Sequence, residues 1–379
     1  MSAPPRRVLV CPQEFKGSLD PFAAAAAIAH GVRAALPSAE VIERPLADGG
    51  PGTAAIIAAA TGASMVRVAV TGAYGASVDA EYARLDDLAV IEAARVVGLT
   101  MTPAGGRRPA HSTTAGLGEL ILHAVEAGAK RVIIGVGGTA TCDGGAGVAR
   151  ALGLRLLDAR GDTLPPGPMH LARLARVARE DDVQRALSGI DVRVAVDVQN
   201  PLTGPQGAAA IFGAQKGLRD WEAPALDRAL RRWAERVRLD LACEVDAVPG
   251  AGAGGGIPAG ILAAIPGARI ESGAALVAEA VGLGDLVSSV DLVVTGEGAL
   301  DAQTAYGKTV AHVTALCRSD GVPCLAVAGI VEAVPAGIAD AEPLAATAED
   351  VEAAQRDAAA RCEASSKRLI ERWTSRAGA

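Results

Sequence analysis

At 379 residues the chain is longer than one compact core usually accommodates, so its length predicts two domains of roughly 150–200 residues each. Half of it is hydrophobic and 21% is charged, which excludes a disordered chain, while an aromatic content of 2% argues against base-stacking nucleic-acid modules. The net charge of −7, from 36 basic and 43 acidic residues without a run of like charges, leaves no basic footprint for nucleic acid or an anionic membrane.

The pattern then reads, in order, as a strand over 8–11, a helix over 21–36, a strand over 41–44 and a helix opening near Thr53. Asp20 followed by Pro21 is a helix start, because the carboxylate accepts free amide hydrogens and proline suits the first helical turn. Alternating runs at 79–85 and 88–92 flank an Asp-Asp turn and predict an antiparallel hairpin, which breaks the parallel rhythm. A helix over 117–127, strands at 131–135, 154–157 and 191–196, and a long amphipathic helix over 221–241 follow. Helices near 258–264 and 273–281 lead to a strand over 291–295, a helix over 307–318, a strand over 323–328 and a last helix over 349–373. Strict alternation at both ends around a hairpin-bearing middle predicts an α/β protein of two α/β domains. One is a discontinuous, Rossmann-like parallel-sheet domain from 1–75 and 285–379, the other an inserted mixed α/β domain over 76–284. The active site is expected in the cleft between them.

In open parallel sheets ligands collect beyond the carboxyl ends of the strands, so the segments just after each strand carry the information. Six of them stand out: 12–19, 47–53, 135–145, 197–204, 250–256 and 295–303, most of which pair glycines with a carboxylate. That pairing suits a nucleotide, since glycine exposes amide hydrogens to phosphate oxygens while Asp or Glu organises magnesium or accepts a proton. A GxGxxA match at 135–140 suggests a dinucleotide fold, but Thr141-Cys-Asp-Gly-Gly145 delays the helix, and the match reads as a phosphate-type or backbone-approach loop. Lys308 follows Gly307 as at the end of a P-loop, yet the spacing fails at Ala302. His111, ahead of the hydroxyl- and glycine-rich run 112–118, is a candidate anion ligand. The six cysteines form no CxxC pair and no Cys/His cluster, which argues against zinc and against a disulfide framework.

Together and in this order the segments resemble the type I glycerate kinase family. They read FKGSL at 15–19, ADGGxGT at 47–53, TxDGGAG at 141–147, DVxNPLTGPxGAA at 197–209, FGxQKG at 212–217, PGAGAGGG at 249–256 and TGEGxLDxQT at 295–304, with GK at 307–308. The resemblance implies a cytoplasmic enzyme that phosphorylates the 2-hydroxyl of D-glycerate with ATP and Mg2+, working as a monomer or homodimer without nucleic-acid or membrane partners. On that basis Lys16 is expected to meet the charge of the moving phosphoryl group, and Asp197, with Asp48 as competitor, to accept the hydroxyl proton. Ser18, Asp143, Asn200 and Gln303 are expected at the substrate. Gly252, Gly254, Gly255, Gly256 and Lys308 are expected at the nucleotide, and Glu297 and Asp301 at the metal.

The chain departs from the family at Gln13, Glu14 and Cys142, and has Pro51 where the family has Glu and Ala299 where it has Arg. Those departures keep open a paralogous kinase for another small hydroxy compound, or a catalytically weak, kinase-derived binding protein. The GxGxxA match keeps open an NAD(P)-dependent oxidoreductase.

Overall fold

The computed structural model describes residues 4–300, 309–345 and 347–377. The chain divides into two compact units, Met1–Asp48 with Ala274–Ala379, and Gly49–Gly273.

The first unit is built on a five-stranded, all-parallel sheet in the order Asp340–Pro343, Cys324–Val331, Leu292–Leu300, Arg7–Val10, Glu40–Glu43. Val8, Leu9, Val10, Val293, Val294 and Leu325 are fully buried, as continuous apolar runs must be in a sheet covered on both faces. The helix Pro21–Ala35 starts where the sequence signals it: Asp20 Oδ1 accepts from the Phe22 and Ala23 N–H groups, both at 2.9 Å. Its one glycine, Gly31, is a contact point, because a Cβ there would sit 2.1 Å from Ser366 Oγ and 2.2 Å from Glu363 O of the last helix. The single helix expected over 349–373 is two, Val351–Arg356 and Ala358–Ala377. Past the break Arg361 donates to Leu344 O at 3.0 Å and pairs with Asp350, a tertiary anchor that periodicity does not announce.

The second unit carries a six-stranded mixed sheet in the order Arg269–Glu271, Asp191–Ala195, Arg131–Gly135, Leu88–Glu92, Ser77–Leu85, Ser64–Thr71. The first four strands run parallel and the last two join antiparallel. The strand Ser64–Thr71 is absent from the expected element list, and it explains why residues 49–75 leave the first unit: it pairs along its whole length with Ser77–Leu85. Leu154–Leu157 pairs with Arg176–Arg179 as a separate two-stranded ribbon. The helix Ala223–Leu241 turns Leu226, Leu230, Trp233 and Val237 inward at the 3.6-residue period. Its fully buried Trp233 donates from Nε1 to Gly144 O at 3.0 Å, which fixes the loop after Arg131–Gly135.

Candidate functional site

In the first unit three segments meet beyond the carboxyl ends of neighbouring strands. Gln13 N–H donates to Gly296 O at 2.8 Å and Leu46 N–H to Pro12 O at 2.9 Å. Phe15 is buried and forms a bridge with Leu19, while Gly17 takes a φ of +81° to close the turn between them. That turn leaves Lys16 exposed at the mouth of a cavity of about 50 Å³ beside Gly298. Ser18 lines the same cavity, but its hydroxyl donates back to Phe15 O at 2.9 Å, so it is free only to accept. Glu297 lies buried near the end of Leu292–Leu300. Burial and the neighbouring Asp48 carboxylate hold the Glu14 carboxyl above its ordinary range, with Lys16 opposing, so Glu14, Lys16 and Asp48 share one electrostatic environment. Asp301, Gln303 and Lys308 lie outside the described residues.

In the second unit Asp143 is a buried hub. Its carboxylate accepts from Thr114 N–H at 2.8 Å, the Thr114 hydroxyl at 2.9 Å, and the Gly145 and Gly147 N–H groups at 3.0 Å each. Burial raises its pKa while these donors pull it down. All four donors are protein groups, and through them Asp143 holds 113–114 against 143–147. The helix that follows opens at Ala146, not inside the GxGxxA stretch; Gly135 instead lets the backbone of Gly49 approach, a Cβ there falling 2.2 Å from Gly49 O. The match is a backbone-approach loop, without the helix N-terminus a dinucleotide phosphate needs.

Asp197 follows the strand Asp191–Ala195, and its Oδ1 accepts from the Ser272 hydroxyl and the Gly273 N–H, both at 3.0 Å. The chain thus leaves the first unit just after Asp48 and leaves the second just after the residue that Asp197 holds. Asn200 donates from Nδ2 to Gln206 O at 2.9 Å and its carbonyl accepts from Gly252 N–H at 3.0 Å, so its backbone and side chain both brace the loop.

The glycines of 250–256 pack closely against other backbone. Gly252, Gly255 and Gly256 are buried, and a Cβ would fall 2.1 Å from Pro201 O, 2.0 Å from Thr141 O and 2.5 Å from Gly144 Cα respectively. Gly254, at φ +60°, would meet Val136 O at 2.9 Å. The side of each glycine where a Cβ would stand is taken up by protein backbone. Gly255→Ala is therefore expected to destabilise the protein by about 2–5 kcal/mol, adding overpacking to a φ of +81°. Urea unfolding against wild type measures it, and an unchanged midpoint would refute the packing account.

Sequence reasoning missed Lys216. It is 3% exposed, yet Nζ donates to Thr141 O at 2.7 Å and Thr139 Oγ1 at 3.2 Å, and Thr139 Oγ1 donates on to Gly254 O at 3.0 Å. This chain ties 139–141 to the glycine segment. The FGxQKG stretch contained the signal, but nothing local says that a lysine beside glycine is buried. Burial lowers the Lys216 pKa from 10.5 to about 8 and pushes the Cys142 thiol up to about 11. The folded protein therefore releases the Lys216 proton near pH 8 while the unfolded chain keeps it to about 10.5, so the unfolded state binds more protons in that window. Wild-type stability relative to Lys216→Met should accordingly rise with pH between those values, by about 3 kcal/mol at most. Urea unfolding of both proteins at the two ends of the window checks the sign; a falling difference would contradict it.

Carboxylates and a lysine presented just beyond parallel strands, on α/β units, suit an α/β enzyme of the phosphoryl-transferring class. The chain belongs to the glycerate kinase family, whose profile matches residues 8–374. It is 40% identical over 324 residues to a glycerate kinase of Halalkalibacterium halodurans, covering 85% of both chains. It is 39% identical over 332 residues to the glycerate 2-kinase of Escherichia coli K12, again over 85% of both. A crystal structure from Salmonella typhimurium LT2, described as a candidate glycerate kinase 2, superimposes with a TM-score of 0.86 at 36% identity, covering 98% of this chain and 99% of that one.

Proposed function

We propose that the chain is a glycerate 2-kinase, transferring the γ-phosphoryl group of ATP to the 2-hydroxyl of D-glycerate. The observation that carries this reading is the 39% identity to the Escherichia coli glycerate 2-kinase over 85% of both chains. A secondary alcohol ionises far above neutral pH, so its proton must pass to a base as the new P–O bond forms. Asp197 takes that role, its Oδ1 held by Ser272 and Gly273 so that the carboxylate has a set orientation; Asp48 is the competitor. Lys16, on its exposed turn, stabilises the charge of the transferring group. Asp143 and Asn200 brace their loops. Glu297 offers a hard oxygen donor of the kind magnesium prefers, and the ion typically uses only one or two carboxylates besides phosphate; when bound it would neutralise charge on the β- and γ-phosphates.

The test is a coupled ADP-release assay with D-glycerate and ATP–Mg2+, with the product identified by phosphorus NMR. ATP-dependent 2-phosphoglycerate is expected. The 3-phospho isomer would overturn the regiochemistry, and no turnover would overturn the substrate.

A second reading, a kinase for a different hydroxy compound, is favoured by one feature: Ala299 stands uncharged at the end of Leu292–Leu300, where the resembling family carries arginine. On the leading reading Ala299→Arg leaves the KM for D-glycerate within about threefold of wild type, since only an interaction that wild type lacks would be added. An undetectable wild-type rate rescued by the arginine would establish the second reading.

A further inference from the structure

Residues 71–75, 111–115 and 164–167 surround a cavity of about 420 Å³ within the second unit, in the size range of small-molecule pockets. Its ionisable lining groups are His111, Asp143 and Arg150. Arg150 can donate five hydrogen bonds, but among the described residues it makes a single one, from Nη1 to Leu164 O at 2.8 Å. Among the described residues no carboxylate lies within ion-pair distance of it, and burial alone lowers its pKa, with no acid opposing.

The two acids nearby are already engaged. Asp143 accepts from Thr114, Gly145 and Gly147, and Glu119 accepts from Thr71 N–H at 2.8 Å. Around the 164–167 wall His170 lies beside Arg173, 3.4 Å from its Nη2, and His111 and Arg173 both act to lower the His170 pKa after burial does; the acid that acts with Arg173, Asp158, already accepts from the Arg160 and Asp162 N–H groups. A half-buried guanidinium without a counter-charge is costly, and here it borders open space large enough to admit one.

We infer that this cavity is an oxyanion-binding pocket, in which Arg150 anchors the phosphate or carboxylate end of a small ligand and Leu156, Leu164 and Leu171 pack against the remainder. The inference leans on the proposed function only for its probes, because a nucleotide and a hydroxy acid share this chemistry.

Isothermal titration of the full chain with ADP, D-glycerate and inorganic phosphate, separately, tests it on wild type, Arg150→Met and Arg150→Lys. Arg150→Met should weaken the binding of at least one probe about ten- to a hundredfold, the scale of a hydrogen bond to a charged group, and Arg150→Lys should recover part of it. The probe that responds names the source of the oxyanion. Should Arg150→Met fail to fold, His111→Gln stands in, with an expected weakening of about threefold or more. A folded variant that binds all three probes as wild type does overturns the inference, and so does a wild type that binds none. A wild type that binds through Arg150 but does not turn over D-glycerate refutes the kinase reading and leaves the pocket standing.

Discussion

Lys16→Met is expected to lower kcat by about two to four orders of magnitude, the scale seen when a positioned charge on a developing anion is removed. The fold should not contribute to the loss. Lys16 is exposed on a turn set by the buried Phe15, its bridge to Leu19 and the positive φ of Gly17, none of which uses the ammonium group. Surface substitutions away from such features usually stay within about 0.5 kcal/mol, so thermal unfolding should match wild type while turnover collapses. Steady-state kinetics decide it, and a folded variant with wild-type kcat would remove Lys16 from the mechanism.

Asp197→Asn is the second large effect, again about two to four orders of magnitude in kcat. The substitution is informative because asparagine keeps a carbonyl oxygen where Oδ1 now accepts from the Ser272 hydroxyl and the Gly273 N–H. The two hydrogen bonds, and with them the path of the chain at Gly273, can persist; what is lost is the capacity to take up a proton. Asp48→Asn is the matched control. A wild-type rate in Asp197→Asn together with a collapse in Asp48→Asn would move the base to the first unit.

Much of the fold was legible because its signals are local. The cap at Asp20, the proline after it, the continuous apolar strands and the inward stripe of Ala223–Leu241 each depend on residues a few positions apart. The strand Ser64–Thr71 was not legible, since its pairing partner alone makes it a strand of the second sheet. The break at Asp357 was not legible either: the periodicity runs through it, and the anchoring of Arg361 by Asp350 and Leu344 O just beyond it is tertiary.

The sequence by itself determined the alternation of strands and helices, the segments that would gather at strand ends, and the family they resemble. It could not determine which glycines serve a ligand and which serve the chain. A glycine that admits a phosphate and one that admits another backbone are the same letter, and the difference lies in what fills the missing Cβ volume. At Gly252, Gly255 and Gly256 that volume is taken by Pro201, Thr141 and Gly144. The same holds for charge: Asp143, Lys216 and Arg150 read alike as polar residues near glycine-rich loops. Tertiary packing alone made the first a hub with four donors, the second a buried tie and the third a cation with no partner acid among the described residues, beside a cavity, because desolvation and pairing are set by residues tens of positions away in the chain.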